Sequence, residues 1–114
     1  MASARAMIER RRFSRMMTRI PVTVRSEHSQ GSQPETRAEA TAISRNGALL
    51  RVPFSPALGS RIEVRHGVSE ERREFRVVRV SAMQKEGLFE LGVEILHPAR
   101  NFWGVAFPDE HYPA

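Results

Sequence analysis

The sequence predicts an all-β fold, a small six-stranded antiparallel barrel with a short C-terminal helix. Three observations lead there. Six stretches alternate apolar and polar side chains with a period of two, the pattern of a half-buried strand. Glycine, proline and asparagine punctuate the chain between them. No long helix-period segment exists, and 114 residues leave little spare chain between strands, which favours closure into a barrel.

The elements follow in chain order. Residues 1–19 read as a basic arm. Phe13, Met16, Met17 and Ile20 have helix-like spacing. The run is short, however, and meets Pro21, which disfavours helix in the residue before it. An ordered arm or a single helical turn is expected. The first strand covers residues 20–25, with Ile20, Val22 and Val24 inward and Thr23 and Arg25 outward. Residues 26–35 form a polar loop. The second strand covers residues 36–44, with Thr41 and Ile43 inward and Ser44 facing the other way. Asn46-Gly47 is a strong hairpin signal, because both residues tolerate positive φ. The third strand, residues 48–52, carries Ala48, Leu50 and Val52 on one face.

Residues 53–59 form a proline-rich loop beneath which Leu58 tucks. The fourth strand, residues 60–66, sets Ile62 and Val64 against Arg61, Glu63 and Arg65. The fifth, residues 74–82, contains Phe75, Val77, Val78 and Val80. Its adjacent valines break the alternation and predict a bulge or burial on both faces. The sixth, residues 88–96, is the most regular: Phe89, Leu91, Val93 and Ile95 share one face, and Glu90, Gly92 and Glu94 the other. Pro98 suits the first position of a helix reaching about residue 105. Its Phe102 and Trp103 would plug one end of the barrel or cover a seam. Barrel and helix thus span residues 20–107, and residues 108–114 form a polar tail.

Composition narrows the function. There is no cysteine, hence no disulfide framework, thiol chemistry or cysteine-held metal, as fits a reducing, cytoplasmic setting. No apolar run approaches the length of a membrane span, and the N-terminus lacks the apolar core of a secretory signal. Residues 1–25 carry seven arginines against Glu9, a net of +6, while the remainder has a net of −1. The positive charge is therefore concentrated in the arm. Arginine in place of lysine suits forked recognition of phosphate or carboxylate. The four histidines are scattered, mostly expected at the surface, and lack acidic companions at metal-ligand spacing. No serine has an identifiable histidine–acid partner, and no glycine-rich phosphate loop precedes a helix. Neither an enzyme nor a metal site is expected.

Two motifs remain. Arg11-Arg12-Phe13-Ser14-Arg15 places arginines four residues apart just before the first strand, with Arg10 ahead of them. Ala42-Ile43-Ser44-Arg45-Asn46-Gly47 spans the hairpin turn. With Glu90-Leu91-Gly92-Val93-Glu94-Ile95 and the tail Phe102-Trp103-Gly104-Val105-Ala106-Phe107, these stretches resemble the PilZ domain family, small barrels that bind the second messenger cyclic di-GMP. The resemblance covers residues 9–107. It implies that Arg11 and Arg15 lie across phosphate and guanine edges of that ligand, with Arg10 adding charge. It implies that Ser44 contacts the nucleotide and that Gly47 permits the turn and its close approach. Gly92, on the outward face of the sixth strand, would leave a base unobstructed. The family's second motif begins with Asp or Asn, where this chain has Ala42. That departure weakens ligand binding or marks a relative without it. For Ser44 the alternative is a plain turn cap.

The leading expectation is a cyclic di-GMP receptor module that relays its signal to a partner protein, with no other cofactor. A protein-interaction domain of the same fold without nucleotide is the first rival. A small nucleic-acid-binding barrel is the second. The near-neutral body and the scarcity of stacking platforms make nucleic acid the weaker partner.

Overall fold

The computed structural model describes residues 15–26, 35–85, 87–97, 101–105 and 107. Its strands are β1 (Met16–Ser26), β2 (Thr36–Ile43), β3 (Gly47–Val52), β4 (Arg61–His66), β5 (Arg72–Ala82) and β6 (Phe89–Ile95). All neighbours are antiparallel. They close in the order β1-β2-β3-β6-β5-β4, the six-stranded barrel that the alternation predicts.

β1 starts at Met16, inside the stretch assigned above to the arm. The helix-like spacing of Met16, Met17 and Ile20 misleads there. Met16 packs on the core while Met17, its neighbour, is 78% exposed, the opposed placement that a strand imposes. Pro21 is tolerated within β1 for a geometric reason. Its carbonyl accepts the Gly67 N–H at 2.8 Å, on the side where β4 pairs only from Val22 onward. Its nitrogen lies on that same side, so no bond to β2 is lost.

The core is aliphatic. Val22, Val24, Leu50, Val52, Ile62, Val64, Val77 and Leu91 interdigitate around Phe75, each an inward position of its strand. Outside, Glu63 accepts Arg25 at 2.7 Å and lies 3.4 Å from Arg72, which also meets Glu35 at 3.5 Å. Arg65 reaches Glu35 at 2.9 Å. This lattice spans the β1–β4–β5 seam that closes the barrel.

Phe102 and Trp103 are both 4% exposed and stack edge-on to one another at 4.8 Å. They cover Phe75 and His66. By area their burial is worth about 3–6 kcal/mol together. His66 departs from the expectation of exposed histidines. It is buried, and its Nδ1 accepts the Val68 N–H at 3.0 Å. His97 is exposed, and His28 and His111 lie outside the described residues. Of the predicted helix, residues 98–100 lie outside the described residues. Residues 101–105 form a turn in which the Gly104 N–H donates to the Asn101 carbonyl at 3.1 Å. Leu58 does not tuck under its loop; it is 67% exposed. Among the described residues no helix is long and apolar enough to cross a membrane.

Candidate functional site

Three ladders shift register at one level of the barrel: β1–β2 between Met17 and Ile20, β2–β3 and β5–β6. β2 pairs with β3 as Ala40↔Leu50 and then Ala42↔Leu49, so Thr41 is bulged. β5 pairs with β6 as Val77↔Val93 and then Arg79↔Gly92, so Val78 is bulged. An extra residue exchanges the two faces of the strand beyond it. On β2, Ala38 and Ala40 pack inward and Ala42 would follow. The bulge instead takes Ala42 out of the core cluster, though it stays buried at 2% exposure, and sends Ile43 into the core, while Thr41 does not occupy the inward place expected for it. On β5, Phe75 and Val77 point inward and Arg79 would come next. The bulge places Val80 against the core and Arg79 in solvent.

The shifts align Ala42, Leu49, Gly92 and Arg79 across the outside of the barrel, each the ladder partner of the next. This row is the floor of a cleft of about 480 Å³. Arg15 stands at one side, Val78 and Arg79 at the other, and the β2–β3 turn with Glu94 at the end. Up to Arg79 the floor is uncharged, made of Ala42, Leu49 and Gly92. Ala42 offers it a methyl group that neither donates nor accepts.

The turn is held by its own serine. The Ser44 N–H donates to the Gly47 carbonyl at 2.9 Å, and the Gly47 N–H donates to Ser44 Oγ at 3.2 Å. The hydroxyl thus accepts within the turn and keeps its own proton to donate outward. The Ile95 N–H donates to the Asn46 carbonyl at 2.7 Å, tying the turn to β6. Asn46 and Gly47 do not adopt the positive φ that their dipeptide suggests. Glycine at 47 is required instead by contact: a Cβ there would overlap the Val93 carbonyl oxygen and lie 3.2 Å from its carbon.

Of the residues expected from sequence to form a site, Arg15, Ser44, Gly47 and Gly92 line this one cleft. Arg10 and Arg11 lie outside the described residues. Gly92 has a different neighbour from the one expected. A Cβ there would meet the Cβ of Arg79 at 3.3 Å, so its lack of a side chain makes room for Arg79. Sequence reasoning did not single out Leu49, Val78, Arg79 or Glu94 as lining residues. The adjacent valines signal the bulge, but only the β5–β6 register tells where it aims Arg79. Among the described residues no three histidine or carboxylate side chains are grouped to hold a metal ion.

The model of the PilZ domain matches residues 9–101. The chain belongs to the PilZ domain family. PilZ domains are receptor and adaptor modules without catalytic activity, and the chain is not an enzyme. Its fold is similar to that of the inhibitor of motility of Bacillus subtilis (MotI/DgrA), with a TM-score of 0.63 and 20% identity over 81% of this chain. The match spans only 45% of that longer protein. It is also similar to the PilZ domain of YcgR from Escherichia coli, solved with cyclic di-GMP, with a TM-score of 0.58 and 14% identity over 82% of each chain. No curated protein matches the sequence.

Proposed function

We propose that this PilZ domain is a cytoplasmic receptor for cyclic di-GMP that passes its signal to a partner protein, with affinity reduced by Ala42. One observation carries the reading. Residues from both sequence motifs, Arg15 from the first and Ser44 and Gly47 from the second, line a single cleft beside Gly92. The chemistry suits a guanine dinucleotide. Guanidinium groups pair with phosphate oxygens and with the guanine O6/N7 edge. The uncharged part of the floor, Ala42, Leu49 and Gly92, accommodates a base face, and the Ser44 hydroxyl has a proton to donate. Arg10 and Arg11 add charge from the same motif.

Ala42 supplies no carboxylate to hold guanine or an arginine. The loss of one hydrogen bond to a charged group lowers affinity about ten- to a hundredfold. Calorimetric titration with cyclic di-GMP tests the proposal on the full chain and on Arg11→Ala/Arg15→Ala. Heat from the first and none from the second supports it. Ala42→Asp should then raise affinity. Ala42 also favours a second reading, a PilZ-fold interaction domain without nucleotide. Silence from the natural chain and from Ala42→Asp alike would establish that reading instead.

A further inference from the structure

We infer that Arg79 is a further ligand-reading residue of this cleft, a guanidinium fork aimed at the O6/N7 edge of a purine lying on the β3–β6 floor. The inference rests on the proposed nucleotide site and concerns a residue outside both sequence motifs.

Three features of the fold place Arg79 there. The first is the bulge at Val78, without which strict alternation would drive this side chain into the core beside Val77. A charged group is thereby turned onto the cleft. The second is Gly92, its ladder partner. Any side chain at 92 would come within 3.3 Å of the Arg79 Cβ, so glycine lets the arginine stem lie close over β6. The third is weak restraint. Arg79 Nη2 is 3.7 Å from Glu90 Oε1, and the side chain is 55% exposed. The arginines of the β1–β4–β5 lattice are held more tightly, down to 2.7 Å for Arg25. Little is lost when Arg79 leaves Glu90 for a better acceptor pair.

Its surroundings select a base edge over a phosphate. Val78, Leu49 and Gly92 adjoin it, an apolar shelf on which a flat ring can rest with its edge toward the fork. Polar groups suited to phosphate cluster at the other end, around Ser44 and Asn46. From Ala42 to Arg79 there are three interstrand steps, roughly 14 Å along the sheet. Arg15 and Arg79 therefore bracket the floor. A ligand with two purines can meet a cation at each end; a mononucleotide can meet one.

The test is calorimetric titration of the full chain with cyclic di-GMP and with cyclic di-AMP, in which N6 is a donor where guanine O6 accepts. Arg79→Ala should lose about ten- to a hundredfold in affinity for the guanine ligand and narrow its preference over the adenine one. Arg79→Lys, with charge but no fork, should recover only a small part. Gly92→Ala keeps the charge but crowds the stem, and should weaken binding in the same sense. Arg76→Ala removes one charge from the same strand outside the cleft and should bind as the natural chain does. Melting curves of each variant establish that it is folded. Unchanged binding by Arg79→Ala while the natural chain binds overturns this inference alone. An equal loss for both ligands overturns the base-edge assignment, and an equal loss in Arg76→Ala overturns direct contact. Absence of binding by the natural chain overturns the proposed function and this inference with it.

Discussion

Gly47 and Val93 meet backbone to backbone where β3 and β6 run together at the mouth of the cleft, with no space for a methyl group between them. Gly47→Ala must therefore push the two strands apart or tilt the turn. Overpacking of this kind costs about 1–3 kcal/mol. A urea titration should show a lower midpoint, and binding should weaken with it. An unchanged midpoint would mean that the contact is easily relaxed.

Phe102 lies against Trp103, His66 and Phe75. Phe102→Ala should destabilise the barrel by about 3–5 kcal/mol. Trp103 is the sole tryptophan and is buried, so its emission reports the change directly. The variant should unfold at lower denaturant, and its folded emission should shift toward longer wavelength as water gains access.

The Ser44 hydroxyl accepts the Gly47 N–H and has its own proton free to donate, so Ser44→Ala separates two roles. Loss of the turn bond should cost about 0.5–1.5 kcal/mol of stability. A cap alone would leave ligand affinity nearly intact once the protein is folded. A further loss of affinity in fully folded variant, read by calorimetry, is expected if the hydroxyl touches ligand.

Glu63 joins Arg25 on β1 to Arg72 on β5 across β4. Its side chain is partly exposed, so Glu63→Gln should cost no more than about 1 kcal/mol. The difference from the natural chain should shrink in high salt as the charges are screened. Chemical denaturation with urea at two salt concentrations measures it.

Leu58 provides the contrasting case. It is apolar but stands in solvent, and Leu58→Ser should change stability by less than about 0.5 kcal/mol. A large loss in a melting experiment would show that the loop is covered in solution.

The barrel was legible in the sequence because inward residues such as Ile62, Val64, Leu91 and Val93 recur with period two, and because short turns leave few ways to connect six strands. The start of β1 was obscured, since Met16, Met17 and Ile20 satisfy a helical spacing as well as a strand face. Burial of His66 was not legible either. It depends on Phe102 and Trp103, more than thirty residues further along, folding back over β4. The cleft was half legible. Ser44, Gly47 and Arg15 stand out as a local pattern, whereas Arg79 becomes a neighbour of Gly92 only through pairing between strands and a one-residue change of register. Turn chemistry misled at Gly47, where the demand is for proximity to another strand and not for an unusual dihedral angle.

The bulges at Thr41 and Val78 work as phase inverters, and this sets what kind of change the two strands can absorb. Val78 is half in water and outside the core cluster, so the barrel itself asks little of its side chain, which faces the cleft. Removing the residue altogether would restore simple alternation, driving Arg79 among the aliphatic groups and expelling Val80. The same holds at position 41, where a deletion would evict Ile43. For the fold, what matters at position 78 is the unit of length rather than the side chain.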